Sequence, residues 1–206
     1  MTPNGVTADE YLAALSLSGL KKITPNPSPA YIDRMNHEIK QIAESGAAKY
    51  FLVVWDFIDF AGDQCIPVKL ESSFLMKSLV AYSLQIIDID PMKGMTNSDE
   101  CGTYPNVIDL DNVFVFPYGG ADIVVQYLSE KYGQDCFALV ADCPDRMPDD
   151  IFFVLSGKPL HNNRSFHTYW DSGFGFCINY DTVKNSGLVM FAFRNSEPNK
   201  RSGLTN

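Results

Sequence analysis

The chain of 206 residues lacks paired cysteines, long apolar runs and an excess of positive charge. Its five cysteines are scattered and include no Cys-x-x-Cys pair, which argues against a disulfide framework or a structural zinc site. The longest apolar stretch, Tyr50 to Trp55, is far too short to span a bilayer. We therefore expect reduced, chemically idle thiols and no membrane association.

Positive charge is scarce, because Lys and Arg number 16 against 25 Asp and Glu, and the formal net charge is −9. Non-specific binding to nucleic acid depends on Lys and Arg neutralising phosphates, so we expect weak DNA binding or none. The first residues offer neither the basic nor the apolar part of a secretory signal, which predicts a cytoplasmic protein. Hydrophobic residues make up 46% of the chain, enough for a buried core.

Two helices are predicted near the start of the chain. Thr7 is suited to cap a helix over residues 7–20, and Glu10 completes a capping box. A second helix should run from Pro29 to Ser45 and end at Gly46. Its apolar stripe consists of Ile32, Met35, Ile39 and Ile42, with Asp33, Arg34, Glu38 and Lys40 away from that stripe.

Helices and strands alternate in the remainder of the chain. Tyr50 to Trp55 is either a buried strand or the first turn of a helix that continues to Ala61, because periodicity alone cannot separate the two. The pattern predicts helices at 73–85 and 121–131, and strands at 107–116, 137–141, 151–155, 174–178 and 187–193. This alternation indicates an α/β or α+β arrangement in which helices pack on a sheet.

Three stretches of the chain carry motifs of a known family. Residues 31–91 contain YFLVVWDFI, SLVAY and IDIDP, residues 124–140 read VVQYLSEKYGQDCFALV, and residues 180–193 read YDTVKNSGLVMFAF. In this order they resemble the bacterial replicative DNA polymerase III alpha subunit, of the C-family polymerases. The matching motifs of that family are YFLIVWDFI, SLVAYAL, ITDIDP, VIEYVxEKYGxDxVAQI and FDKDDVExxGLVKFDFLGL.

The resemblance implies an α+β fold, namely a palm of the polymerase β-like nucleotidyltransferase type with a mixed sheet and packed helices. We expect a single palm-like domain over residues 1–206. Residues 8–140 would form the first palm segment and 180–193 the last palm strand. Residues 141–179 would be a reduced connection in place of the family's thumb, and 194–206 a tail.

The family binds nucleotide phosphates at a glycine-rich loop, GPGRGSxAGS, whose backbone N–H groups approach the phosphates closely. This chain aligns with that loop without a gap. Its glycines are replaced by Lys69, Glu71, Ser73 and Lys77, and Ser72 holds the arginine position before the helix that begins at Ser78. We interpret 69–78 as a degenerate loop, a turn before an ordinary packed helix. The alternative is that Lys69 and Lys77 serve as substitute phosphate binders.

Nucleotidyl transfer requires two divalent metals held by carboxylates on adjacent strands. The resemblance implies two aspartates at i and i+2 on one strand, which Asp109 and Asp111 match as a vestigial, weak metal-binding pair. That alignment requires a short insertion, for which residues 117–120 are a candidate. Counting back without gaps from the helix at 121–131 instead places Val113 and Val115 at the two positions.

The family's third metal ligand is an aspartate on the neighbouring strand. The corresponding residue is Ala192, and Met190 takes the place of the lysine that precedes it in the family. A methyl group cannot bind a metal, so a catalytic metal site is not expected.

All of these losses fall on the chemistry, whereas the packing motifs remain. We therefore predict a catalytically inactive palm-like protein without a cofactor. It would bind a protein partner, with a replisome component as the candidate, and act as a decoy, inhibitor or accessory subunit. One alternative is a small active nucleotidyltransferase or nucleotide-binding enzyme using Mg²⁺ at Asp109 and Asp111, with Asp171 or Asp181 as the third carboxylate. A second alternative is single-stranded DNA binding by aromatic residues within 166–170.

Overall fold

The computed structural model describes residues 5–71, 74–93, 113–133, 137–142, 150–155, 169–170, 176–179 and 189–196. The chain divides into two compact units, one of residues 1–58 and 72–112 and the other of residues 59–71 and 113–206. The described part of the first unit is helical, and the second unit contains a mixed sheet. The protein is therefore mixed α+β, as predicted.

Helices of the first unit begin and end at the signals that the sequence carries. They are α1 (Ala8–Ile23), α2 (Pro29–Ser45), most of α3 (Ala48–Asp63), a 3₁₀ turn (Leu75–Lys77) and α4 (Leu79–Ser83). The Thr7 hydroxyl accepts from the Glu10 N–H, and the Glu10 carboxylate accepts from the Thr7 N–H at 2.9 Å. Gly46 ends α2 at φ 70°, a conformation that favours glycine. Both predicted helices are confirmed.

Two further predictions about the first unit are settled by the structure. Tyr50 to Trp55 lies inside α3, so the helical alternative is correct. A continuous helix over 73–85 is wrong, because Ser78 is extended (φ −91°, ψ 123°) between the 3₁₀ turn and α4. The Ser78 hydroxyl accepts from the Ala81 N–H, and this side-chain cap restarts the helix.

Helices α1 and α4 meet at Gly19, where the backbones approach more closely than any side chain would allow. A Cβ atom added at Gly19 would lie 2.0 Å from the carbonyl oxygen of Ser83. Only glycine fits at this crossing, so Gly19 allows the short distance between the two helices.

Among the described residues, the second unit contains a mixed sheet of seven strands. The strands are β1 (Lys69–Glu71), β2 (Val113–Phe116), β3 (Phe137–Asp142), β4 (Asp150–Leu155), β5 (Tyr169–Trp170), β6 (Phe176–Asn179) and β7 (Val189–Asn195). Their order is β1-β2-β7-β4-β3-β6-β5, with β2–β7 and β3–β6 parallel and the other pairs antiparallel. The family resemblance implies that the strand at 107–116 neighbours the strand that carries Ala192, and the β2–β7 pair confirms this for residues 113–116. Residues 107–112 and 187–188 lie outside the described residues.

One face of β2 and β7 forms an aromatic core. Phe193 contacts Phe116 at a ring-centroid distance of 5.3 Å and Phe114 at 6.1 Å, and all three rings are buried. Helix α5 (Gly120–Tyr132) packs against both strands, and Gly133 follows its last turn. The predicted helix at 121–131 is thus confirmed. The candidate site lies on the opposite side of the two strands.

Strands β1 and β5 were missing from the prediction. Three residues in β1 and two in β5 are too few to show a period, and the partner strand decides their conformation. In place of the predicted turn after Val68, the chain therefore continues as a strand. Among the described residues, no helix is both long and apolar enough to cross a bilayer.

Candidate functional site

The positions that the gapless register assigns to metal ligands lie on the face of β2 and β7 opposite the aromatic core. Val113 is the Cα partner of Ala192, and Val115 is the partner of Arg194. On the other side of β2, Glu71 pairs with Val113 and Lys69 with Val115. Because paired residues share a face and side chains alternate along a strand, six residues form one surface. We call it the site face: Lys69, Glu71, Val113, Val115, Ala192 and Arg194.

The centre of the site face is apolar and closed to solvent. Val113 is 4% exposed and Ala192 is 0% exposed. A two-metal site needs oxygen ligands and access for a nucleotide. Val113 and Ala192 offer neither, and the half-buried Val115 has no oxygen ligand, so these residues do not fit a magnesium pair.

An ion pair crosses the site face from one side of β2 to the other. Arg194 Nη1 on β7 lies 2.8 Å from Glu71 Oε2 on β1, and Lys69 Nζ lies 3.1 Å from Glu71 Oε1. The hydrogen bond from Lys69, assisted by the charges of Lys69 and Arg194, holds the pKa of the Glu71 carboxyl below its ordinary value. The Glu71 carboxylate is therefore neutralised by two side chains of the protein, Lys69 and Arg194.

The connection from β2 to α5 bears on which residues occupy the two paired-aspartate positions. It consists of Pro117, Tyr118 and Gly119 only, and the Gly120 N–H closes it by donating to the Pro117 carbonyl at 2.7 Å. The candidate insertion, residues 117–120, is thus this tight turn together with the first residue of α5. The choice between the two registers stays a prediction, and in the gapless register Val113 is the strand partner of Ala192.

Several predicted site residues lie outside the described residues. They are Asp109, Asp111, Ser72, Ser73 and the proposed third carboxylates Asp171 and Asp181. In the part of the chain that the structure does describe, no three His, Cys, Asp or Glu side chains are grouped so that they could hold a metal ion. The assignment of Asp109 and Asp111 as a vestigial pair stays a prediction.

The second half of the degenerate loop is bound to an internal carboxylate. Glu38 on α2 is fully buried, and its Oε1 accepts from the Leu79 N–H at 3.0 Å. Its Oε2 accepts from the Ser78 hydroxyl at 3.0 Å and from the Val80 N–H at 3.2 Å. Glu38 thereby supplies the negative charge that the first turn of α4 attracts.

Arg34 completes this network and was misplaced by the sequence prediction. Its Nε donates to Glu38 Oε1 at 2.6 Å, and its Nη2 donates to the Lys77 carbonyl at 3.1 Å. Arg34 and Glu38 were expected away from the buried stripe of α2, yet both are buried. Their i, i+4 spacing was the available signal, since it allows the two charges to neutralise each other inside the protein. Lys77 itself is exposed.

The comparison with known families agrees with the resemblance. The family model for the bacterial DNA polymerase III alpha NTPase domain matches residues 10–145. The chain belongs to this family. The match includes the first two motif stretches, the degenerate loop and β2, whereas the third stretch, with Ala192, lies beyond it.

Individual relatives give the same result. The DNA polymerase III subunit alpha of Borreliella burgdorferi is 37% identical over 134 residues, which cover 65% of this chain and 12% of that protein. The subunits of Bacillus subtilis and Ureaplasma parvum are 33% and 36% identical over 133 and 143 residues, covering 64% and 66% of this chain. The chain spans 12% and 15% of these two relatives.

Proposed function

We propose that this chain is a catalytically inactive, palm-like protein of the DNA replication machinery that acts by binding a protein partner. The observation that carries the proposal is the direct pairing of Val113 with Ala192 on adjacent strands. In the gapless register both positions belong to metal-binding aspartates. Without carboxylates the charge that develops on a transferring phosphoryl group stays unneutralised, and most of the rate is lost.

Two features of the segment that aligns with the family's phosphate-binding loop support the same proposal. Glu71, on a strand where the family has a glycine-rich loop, would repel a triphosphate, and its neighbouring cations are already paired with it. The N–H groups of Leu79 and Val80 are hydrogen-bonded to Glu38. Backbone donors that bind an internal carboxylate are not available to a phosphate.

The partner is proposed to be a protein because the chain is acidic. A net charge of −9 repels DNA, whereas apolar surface can drive association between proteins at any net charge. A decoy, an inhibitor and an accessory subunit are all compatible with such an interaction. We also propose that the chain acts in the cytoplasm without a cofactor.

The test is a primer-extension assay with the full chain in Mg²⁺ and in Mn²⁺. We expect no extension and no nucleotidyl transfer. The same preparation should show no submicromolar binding to single- or double-stranded oligonucleotides at about 150 mM salt, where weak electrostatic binding is already screened. An activity that Asp111→Asn abolishes would establish the active alternative. Tight binding to single strands would establish the second alternative instead.

A further inference from the structure

An exposed apolar surface lies where α5 begins. Tyr118 is 75% exposed and Ile123 is 47% exposed, although both are large apolar residues. Gly119 is the N-cap of α5, so the two occupy the N′ and N4 positions, which lie next to each other at a helix start. In most helices this pair contributes to the core, whereas here it faces solvent.

The apolar surface continues along the seam between α5 and the end of α3. Tyr127 lies one turn after Ile123, and its ring stacks on Phe60 with centroids 3.8 Å apart and planes 3° apart. Both of these rings are half-buried. We call Phe60, Tyr118, Ile123 and Tyr127 the α5 patch. All four residues belong to the second unit.

Carboxylates border this patch, and those on α3 are unfavourably placed at the end of that helix. Asp59 and Asp63 are exposed in the last turns of α3, and the last turn contains no basic residue. The C-terminal end of a helix carries partial negative charge and favours cations. Two like charges at i and i+4 also repel each other. On α5, the exposed Asp122 and Glu130 add two more acidic groups.

The patch already binds one ammonium group of its own chain. Lys131 Nζ lies 5.1 Å from the centre of the Tyr127 ring and 2.6 Å from its hydroxyl oxygen. An aromatic face of this kind attracts a cation directly. The contact indicates which charge the rest of the patch would accept.

We propose that the α5 patch is the docking surface of the protein partner, for a segment in which an apolar side chain is flanked by Lys or Arg. This proposal rests on the partner-binding function proposed above and specifies its location and chemistry. The apolar anchor would cover Tyr118 and Ile123, and the flanking cations would meet Asp59 and Asp63. A second copy of the chain is disfavoured because it would bring two acidic rims together. Nucleic acid is disfavoured for the same reason.

A random 12-residue peptide library displayed on phage tests this chemistry without naming a partner. Selection uses the full chain, and counter-selection uses the double variant Tyr118→Ser/Ile123→Ser. We expect enriched peptides that carry a large apolar residue beside Lys or Arg. A selected peptide should bind the double variant at least about tenfold more weakly, since exposed aromatic anchors dominate such interfaces.

Charge and position are tested by matched variants with the same selected peptide. Asp59→Asn/Asp63→Asn should weaken binding several-fold and reduce its salt dependence. Ile89→Ser removes an apolar side chain that is 55% exposed in the first unit, and Glu44→Gln removes an exposed carboxylate of α2. Both controls should bind like the unchanged chain, and thermal melting should confirm that every variant is folded.

Three outcomes contradict the proposal. The first is enrichment of peptides that lack basic residues, and the second is no enrichment at all. The third is a selected peptide that binds the double variant as well as the unchanged chain, or that loses as much affinity in the two controls as in the patch variants. A dimer in analytical ultracentrifugation that disappears in the double variant would assign the patch to a second copy. Because the patch variants leave Val113, Val115 and Ala192 intact, this result is independent of the primer-extension assay.

Discussion

The first unit buries a carboxylate among hydrogen-bond donors, whereas the centre of the site face in the second unit is apolar. In the first unit, the buried Glu38 carboxylate keeps hydrogen bonds to an arginine, a hydroxyl and two backbone N–H groups. In the second unit, the centre of the site face holds Val113, Val115 and Ala192. A buried carboxylate costs free energy unless it is paired or hydrogen-bonded. Glu38 has such partners inside the protein, whereas the apolar side chains of Val113 and Ala192 need none.

Removing Glu38 gives the largest expected effect. Glu38→Ala leaves the Arg34 guanidinium buried without its ion pair and three donors of the α4 start unsatisfied. The free energy of unfolding should fall by about 3–5 kcal/mol, as for other broken buried pairs. Urea unfolding measures the change. The control Glu44→Ala removes the exposed carboxylate of the Lys40–Glu44 pair and should cost less than about 0.5 kcal/mol. Equal losses would show that the Glu38 network adds nothing to stability.

Restoring a carboxylate on the site face tests the other side of the comparison. Ala192→Asp places an ionisable group at a fully buried position and should destabilise the chain by roughly 3 kcal/mol at neutral pH. Burial raises the folded-state pKa of the new carboxyl above its unfolded value of about 4, so the loss should shrink as the pH falls from that raised pKa towards about 4. Ala192→Asn should show no such pH dependence. If Mn²⁺ restored the stability of Ala192→Asp, the site would still bind metal, contrary to our proposal.

The crossing of α1 and α4 in the first unit depends on the close approach of the two backbones at Gly19 and Ser83. Gly19→Ala forces Ser83 or α1 to move, because backbone cannot yield as a flexible side chain does. We expect a loss of about 1–3 kcal/mol in thermal or urea unfolding. In α3, Gly62 has open space where a Cβ would lie, so Gly62→Ala should stabilise the helix by roughly 0.5–1 kcal/mol. A neutral Gly19→Ala would mean that the crossing is looser than described.

The ion pair on the site face should give the smallest effect. Glu71 and Arg194 are partly exposed, so Glu71→Ala should change stability by less than about 1 kcal/mol, and less in high salt. Because the folded-state pKa of Glu71 is depressed, its contribution exists above the unfolded pKa and disappears as the pH falls through the folded value. Carboxyl NMR titration of Glu71 should therefore show an ordinary pKa in a Lys69→Ala/Arg194→Ala variant.

Local signals predicted the helices well. Helix α2 begins at Pro29 and ends before Gly46, as expected. The fixed φ of proline at the first residue and the left-handed conformation after the last residue are signals that act within one turn. The break at Ser78 is also local, but a serine that caps a helix and a serine inside one look alike in sequence.

Distant partners account for what the sequence did not predict. Glu38 is buried because its hydrogen-bond partners stand some forty positions later in the chain, at Ser78, Leu79 and Val80. Strand β1 exists because β2 pairs with it, and its own three residues carry no strand pattern. The adjacency of β2 and β7 was predicted through the family resemblance, whereas the Val113–Ala192 register required the structure.

The place of β7 has a consequence for synthesis. This strand is the last of the described strands in the chain, yet it lies inside the sheet between β2 and β4. While the ribosome has not released residues 189–195, β2 and β4 each lack their neighbour, and the sheet exists at most as two separate pieces with unpaired edges. Contacts between such distant segments form slowly, and open edges invite aggregation. The nascent chain would therefore depend most on chaperone protection just before β7 emerges.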